Sequence, residues 1–204
     1  LAEALAGRKT HPLSCVVGGF AKLPDLNELK ALKKRLQDAL ADLEATVELF
    51  KTLKLPAFVR ETEYIALKDP KEYAFIRVQI GSTDAGVTPL TNYLNVTNEF
   101  CVPHSTAKYT KNKRDSYMVG ALSRFNLNHE QLLPRAKQAA KALGLKAPNY
   151  NPFMITVAQM VELAHAVEES INLIDQIVAR GLEEEPNAVK VRAGRGVGAV
   201  EAPR

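Results

Sequence analysis

The chain has 204 residues, 46% of them hydrophobic, which is enough to bury a sizeable core. With 27 basic against 23 acidic residues, the formal charge of +4 and the lack of a basic patch interleaved with aromatic residues argue against nucleic acid as a partner. The sequence has neither an apolar run long enough to cross a membrane nor a secretory leader, so we expect a soluble protein that binds no membrane.

The two cysteines, Cys15 and Cys101, lie far apart, and neither belongs to a C-x-x-C pair. Zinc and iron–sulfur sites are commonly built from such pairs, so we expect this chain to bind no metal by itself. Isolated thiols are typical of a protein in a reducing compartment, where each is a small buried side chain. A disulfide between Cys15 and Cys101 is the alternative.

The clearest predicted element is a long amphipathic helix over residues 26–54. Asp25, followed three residues later by Glu28, is typical of a capping box, and Pro56 closes the helix. Its apolar residues recur at spacings of three and four on one face: Leu29, Leu32, Leu36, Leu40, Leu43, Val47 and Phe50.

From about residue 57 to residue 110 the pattern favours β-structure. Residues 64–67 and 73–80 have the composition of strands, with a turn between them. Residues 109–116 are polar and basic, which predicts an exposed loop.

Helices return after this region. We expect a short helix over residues 117–125 and another over about 128–143 that either begins or bends at Pro134. A second long helix runs from the start signal Asn151-Pro152 to about Arg180. Its predicted apolar stripe comprises Met160, Leu163, Val167, Ile171, Ile174 and Val178.

The two long helices need a partner for their apolar faces, and each is suited to the other. The expected fold is therefore mainly α, a helical bundle with two long amphipathic helices and a small β insert (α+β overall). We expect a single domain over residues 1–204, with the insert at about 57–110 and a short final strand over 188–192.

The histidine neighbourhoods do not require a catalytic or metal site. His104 stands beside Ser105, but a Ser/His pair needs a third orienting group and an oxyanion site. His165 and Glu168 share a helix face in the reverse order of the Glu-x-x-His pairs of bundle metal sites, so a buried polar contact is expected.

The segment from Arg192 onward is rich in glycine and ends on a Pro-Arg pair. Gly194, Gly196 and Gly198 allow close approach of other atoms, so we expect a bulky group or another backbone against them. The segment lacks the following helix of a dinucleotide fingerprint. The guanidinium of Arg204, on a rigid X-Pro unit, suits an anionic or lone-pair-rich ligand.

Several motifs along nearly the whole chain carry a family resemblance. Residues 196–204 read G-V-G-A-V-E-A-P-R, and residues 11–19 read H-P-L-S-C-V-V-G-G. They resemble the glycine-rich E-A-P-R-G and the H-P-x(n)-G-G motifs of nickel–iron hydrogenase large (alpha) subunits. Residues 102–108, 116–127 and 151–153 resemble the cytoplasmic, cofactor-coupled branch of that family.

The cysteine motifs of that family are absent here. The family binds its metals through thiolates of an N-terminal R-x-C-G-x-C and a C-terminal D-P-C-x-x-C motif, and neither Cys15 nor Cys101 matches them. Together with the missing initiator methionine, the resemblance implies a central fragment of a larger subunit. We expect no cofactor in this fragment, which would be inactive, and a nickel–iron centre in the intact subunit.

The resemblance implies roles for a few residues. Arg204, with Pro203, would be catalytic, forming a canopy over the metal centre where a fixed cation donates to cyanide nitrogen and polarises hydrogen. Ala202 would line the cofactor pocket, and His11 would lie at the interface with the iron–sulfur small subunit. Glu201 is either a proton-handling group or a structural carboxylate.

For the intact complex, the resemblance implies reversible oxidation of H2 in the cytoplasm. Surfaces that the fragment leaves uncovered predict a homo-oligomer. Two other interpretations stay open. One is a piece of the hydrogenase-related subunit of a quinone-reducing respiratory complex, which typically lacks the E-A-P-R ending. The other is a structural or interaction helical module.

Overall fold

The computed structural model describes residues 1–11, 14–17, 19–76, 78–184, 190 and 192–202, and within them the chain is mixed α and β. It divides into two compact units. One joins Leu1–Thr46 with Ala166–Arg195, and the other joins Val47–His165 with Gly196–Arg204. The single domain and the helical bundle stay predictions.

The first unit is mainly helical. It contains α1 (Ala2–Ala6), α2 (Leu26–Asp38), the C-terminal part of a long helix and the hairpin of β1 (Cys15–Val16) with β2 (Gly19–Phe20). Its buried core holds Leu29, Leu32 and Ile174. Partly buried residues pack around these three: Ala4, Leu5, Leu26, Leu36, Ile177 and Val178. Residues of both predicted apolar stripes therefore meet in this core.

The single helix predicted over residues 26–54 is wrong, because the structure has two helices there. α2 ends at Asp38, and α3 (Leu40–Lys51) follows Ala39. The ψ of Ala39 is −7°, far from the value of about −42° in a helix interior, so the turn is interrupted at this residue.

The N-cap predicted at Asp25 is confirmed, at the start of α2. The carboxylate of Asp25 accepts hydrogen bonds from the backbone N–H groups of Asn27 and Glu28, at 2.7 and 3.0 Å. These two donors have no partner within the helix, so the aspartate stabilises its first turn.

The second unit is built on a four-stranded sheet in the order β5–β4–β3–β8. Its strands are β3 (Glu63–Lys68), β4 (Gln79–Ser82), β5 (Gly86–Thr88) and β8 (Tyr117–Met118). β3 lies antiparallel to β4 and parallel to β8, and β4 lies antiparallel to β5. The first five residues of β3 are buried, as expected for a central strand covered by a helix, here α4 (Ala121–Asn128).

The strand predicted over residues 64–67 is confirmed, whereas the one over 73–80 is mostly wrong. Of the residues described in the latter range, which omit position 77, only Gln79 and Ile80 belong to a strand. Tyr73 and Ala74 are buried by side-chain packing outside any ladder, and Ile76 makes an isolated antiparallel bridge with Val200.

A separate hairpin pairs β6 (Asn98–Val102) with β7 (Ser105–Lys111). The exposed loop predicted from residue 109 therefore begins only after Lys111, whose ammonium lies 5.4 Å from the centre of the Phe100 ring across the hairpin. Cys101 is a free, exposed thiol on β6, so its predicted burial is wrong. The side chain of Cys15 lies outside the described residues.

The later helices follow the predicted start signals with shifted bounds. The helix expected over residues 117–125 begins only at Ala121, because Tyr117 and Met118 pair with β3 and Gly120 turns the chain with φ +87°. α5 (Pro134–Ala142) starts at its proline, which therefore begins the helix. Short 3₁₀ turns span Leu90–Asn95, His129–Gln131 and Pro152–Met154.

The last helix is α6 (Ile155–Arg180), and it ends before Gly181, whose φ is +80°. Asn151 caps the preceding 3₁₀ turn by accepting from the N–H of Phe153 at 3.0 Å. Leu163 is 50% exposed, so its place in the predicted apolar stripe is wrong; the helix instead buries Val161 and Ala164.

The final strand predicted over residues 188–192 lies outside the described residues except at positions 190 and 192, which belong to no strand. None of the described helices combines the length and apolar character of a membrane span.

Candidate functional site

A buried ion pair joins α4 to α6 inside the second unit. Arg124 donates from Nε to Oε1 of Glu162 at 2.6 Å and from Nη2 to Oε2 at 2.8 Å. Arg124 is 2% exposed and Glu162 9% exposed. This two-bond geometry uses the planar fork of the guanidinium, which a lysine cannot reproduce.

The same guanidinium also holds the C-terminal segment. Its Nη1 donates to Oε2 of Glu201 at 3.0 Å and to the carbonyl oxygen of Ala202 at 3.1 Å. The other oxygen of Glu201 accepts from the N–H of Leu67 at 2.5 Å, and the N–H of Glu201 donates to the carbonyl of Phe75 at 2.8 Å. Each carboxylate oxygen of Glu201 thus bonds the surrounding fold, as a structural carboxylate would.

An aromatic group completes the cluster. Tyr73 donates its hydroxyl to Oε1 of Glu162 at 2.9 Å. The rings of Tyr73 and His165 lie 5.0 Å apart, and Nδ1 of His165 accepts from the N–H of Leu133 at 3.2 Å. The guanidinium of Arg124 lies 5.8 Å from the centre of the Phe75 ring. The aromatic side chains of Tyr73 and Phe75 therefore lie beside the Arg124–Glu162 ion pair.

This environment holds Arg124 charged and Tyr73 protonated. Burial alone lowers the pKa of Arg124, but the hydrogen bonds and charges of Glu162 and Glu201 outweigh it and raise the pKa above its ordinary value. Burial first, and then the charge and hydrogen bond of Glu162, raise the pKa of Tyr73 well above its usual range. At neutral pH Arg124 and Tyr73 therefore remain hydrogen-bond donors, suited to holding the backbone in place.

A second buried carboxylate, Glu63, is held by neutral donors. Its oxygens accept from Oγ of Ser82 at 2.5 Å, from Nδ2 of Asn112 at 2.7 Å and from the N–H groups of Lys113 and Arg114 at 2.8 and 3.3 Å. Glu63 is fully buried and joins β3 to β4 and to the chain after β7. Its contacts indicate a structural role.

The structure describes only some of the residues predicted for the site. Arg204 and Pro203 lie outside the described residues, so their proposed catalytic roles stay predictions. Ala202 is exposed, and its carbonyl is bonded to Arg124. His11 is exposed in a bend after α1, with φ +50°, and belongs to the other unit. The roles of Ala202 and His11 stay predictions too.

The close contacts expected at the C-terminal glycines are not formed by the described residues. A Cβ added at Gly194, Gly196 or Gly198 would meet no heavy atom within 4 Å. In the described part of the chain these glycines therefore border open space.

Sequence reasoning missed the centre of the cluster, Arg124 with Glu162 and Tyr73. The paired residues Arg124 and Glu162 are 38 positions apart, and Arg124 and Glu201 are 77 apart, so local spacing carries no signal of the contacts. The available signal was the charged residue Arg124 inside the motif of residues 116–127.

The described residues do not fit a nickel–iron centre. Among them, no group of three or more His, Cys, Asp or Glu side chains is arranged to hold a metal ion. The described thiol of Cys101 lies exposed on the β6–β7 hairpin. Thiolate ligands for such a centre are therefore not provided by the part of the chain that the structure describes.

Comparison with known proteins identifies the relatives of this chain. No protein-family model matches the sequence. The alpha subunit of sulfhydrogenase 1 from Pyrococcus furiosus is 33% identical over 204 residues, covering 99% of this chain and 48% of that protein. The chain is a homologue of hydrogenase alpha subunits.

A second relative of this chain is the alpha subunit of sulfhydrogenase 2, also from Pyrococcus furiosus. It is 26% identical over 202 residues, covering 99% of this chain and 47% of that protein. This chain spans about half the length of the curated relatives it matches. The resemblance predicted from the motifs is thereby confirmed.

The fold of this chain is also similar to that of a protein of known structure. It is similar to a chain in the crystal structure of an NAD+-reducing NiFe-hydrogenase in the H2-reduced state, with a TM-score of 0.76. The match is 24% identical in sequence and covers 98% of this chain and 49% of that one.

Proposed function

We propose that this chain is part of the large subunit of a nickel–iron hydrogenase and serves the reversible oxidation of H2 in the intact enzyme. Homology to hydrogenase alpha subunits along 99% of the chain supports the enzyme class. The structural observation that carries the proposal is the bonding of Glu201 and Ala202 to Arg124, immediately before the Pro203-Arg204 pair.

In this proposal Arg204 is a permanent cation beside the metal centre, with Pro203 next to it and Ala202 lining the same pocket. A guanidinium with its charge fixed and its water removed stabilises developing negative charge strongly. In this proposal the metal ligands come from parts of the subunit outside these 204 residues, since neither Cys15 nor Cys101 belongs to a C-x-x-C pair. The helices and the four-stranded sheet form the scaffold for this lining.

The partner in the intact enzyme is an iron–sulfur small subunit, with His11 at the interface, and the enzyme is cytoplasmic. In isolation the chain forms homo-oligomers. Exposed apolar side chains in the second unit support this part of the proposal: Leu49, Leu53, Leu55, Phe58, Val59 and Phe153. Light scattering over a range of concentrations should show association, and a monomer throughout would contradict it.

The enzymatic proposal is tested in two preparations. The 204-residue chain alone should hold less than stoichiometric nickel and iron by elemental analysis and should not reduce a dye with H2. A longer form of the protein, matching its relatives in length and assembled with its partner, should catalyse that reduction. Stoichiometric metal in the isolated chain would contradict the proposal.

A substitution then tests the arginine. Arg204→Lys in the assembled enzyme should lower kcat without changing the metal content, because the fork donors are lost while the charge is kept. Arg195→Lys is the matched control, since Arg195 is an exposed arginine of the same segment. Equal kcat values for the two variants would reject the role of Arg204.

A further inference from the structure

We propose that Arg124 is a positioning residue that fixes the starting point of the Pro203-Arg204 pair by holding Glu201 and Ala202. The inference rests on the proposed function, because it takes the guanidinium of Arg204 to be the group that must be placed. Arg124 itself acts through the backbone and touches no reacting atom in this account.

The contacts of Val200, Glu201 and Ala202 with the rest of the second unit, here called the anchor, hold the C-terminal segment at three consecutive residues. Val200 bridges to Ile76, the N–H of Glu201 donates to the carbonyl of Phe75, and the carbonyl of Ala202 accepts from Arg124. Both backbone and side chain are thus bonded. A segment held at successive residues loses the freedom to slide or rotate that a single contact would leave.

The anchor is rigid because Arg124 is itself clamped. Two of its nitrogens bond Glu162, which also accepts from Tyr73, so only Nη1 is directed at the C-terminal segment. All three side chains lie in the buried interior of the second unit. The guanidinium therefore serves as a fixed bridge between α6 and the segment, a task that needs three separate donor nitrogens.

The proposed catalytic group follows the anchor closely along the chain. Arg204 follows Ala202 by two positions, and two residues of fully extended chain span at most about 7 Å. An anchor at Ala202 consequently restricts where the following residues can start. Misplacement of a reactive group by about 1 Å can cost about 100-fold in rate, so a loosened anchor would impair catalysis.

The test compares Arg124→Lys with Arg114→Lys. Lysine keeps the positive charge of Arg124 but has one nitrogen, so it cannot serve Glu162 and the C-terminal segment together. Arg114 is the control because its guanidinium also bonds two carboxylates, those of Glu61 and Asp84, but at the surface of the same unit.

The first readout is amide hydrogen exchange in the full 204-residue chain. In Arg124→Lys, the amides of Leu67 and Glu201, which bond within the anchor, should exchange roughly tenfold faster or more. The other amides of β3 and those of β4 should keep their rates. Unchanged exchange at Leu67 and Glu201 would show that Arg124 does not position the segment. An equal acceleration of every amide would instead show a general loss of stability, and it would also overturn the positioning role.

The second readout is turnover in the assembled enzyme. Arg124→Lys should lower kcat roughly 10- to 100-fold, with the KM for H2 and the metal content nearly unchanged, whereas Arg114→Lys should retain both constants. Wild-type assembly without H2-dependent activity would overturn the proposed function together with this inference. An active wild type with an unaffected Arg124→Lys variant would overturn the positioning role alone.

Discussion

Arg124 and Glu162 face each other through two hydrogen bonds, of 2.6 and 2.8 Å, in the buried interior of the second unit. A pair of this kind is costly to break, because removal of one partner leaves the other as a buried charge. The pair also connects two helices with the C-terminal segment through Glu201. Its contribution can be measured separately from any catalytic role.

Replacement of the arginine should destabilise the protein strongly. We expect Arg124→Met to lower the free energy of unfolding by roughly 3 to 5 kcal/mol, since it leaves two carboxylates in the interior without their cation. Urea denaturation followed by circular dichroism measures this. Arg114→Met, which removes a surface pair, should shift the midpoint far less, and equal shifts would show that burial does not set the cost.

Two buried tyrosines offer a matched comparison of hydroxyl groups. The hydroxyl of Tyr73 bonds Glu162, whereas that of Tyr64 is buried without a hydrogen-bond partner among the described residues. We expect Tyr73→Phe to destabilise by about 1.5 to 3 kcal/mol and Tyr64→Phe to stabilise by about 1 kcal/mol, because an unpaired buried hydroxyl carries an uncompensated desolvation cost. Thermal or urea unfolding of both variants checks the opposite signs.

Alkaline pH should reduce the contribution of Tyr73 to stability. Its pKa is raised in the folded protein above the usual 10.0, mainly by burial and then by Glu162. Below about pH 10 the tyrosine is protonated in both states and its contribution is complete; above about pH 10 the unfolded chain loses the proton first, so stability falls. The advantage of the wild type over Tyr73→Phe should therefore shrink between about pH 10 and 11, and a constant advantage would contradict this account.

Glycines in the sheet and in the C-terminal segment should differ in their tolerance of a side chain. A Cβ at Gly81 would lie 2.8 Å from the Cβ of Lys68 on the neighbouring strand, whereas one at Gly198 would meet nothing within 4 Å. We expect Gly81→Ala to destabilise by roughly 1 to 3 kcal/mol through overpacking. Gly198→Ala should change stability by less than about 1 kcal/mol. Denaturation midpoints of the two variants decide the matter.

Local signals in the sequence predicted local structure well. The carboxylate of Asp25 acts within one helical turn and caps the helix where expected. Pro134, for which beginning and bending a helix were both open, begins one, and the cap-and-proline signal at Asn151-Pro152 begins the 3₁₀ turn that leads into α6. The strand at residues 64–67 was also readable from its composition. Predictions failed where a distant partner decided the outcome, as when β8 took Tyr117 and Met118 out of the expected helix.

By itself the sequence determined the N-caps, part of the periodic apolar faces and the motifs that identify a homologue of hydrogenase alpha subunits, because these depend on residues a few positions apart. Only the tertiary structure decided that Arg124, Glu162 and Glu201 form one buried cluster, since the three come together from a helix, another helix and the C-terminal segment. A buried charge is stable only with its partners in place, and the fold alone brings those partners within hydrogen-bonding distance.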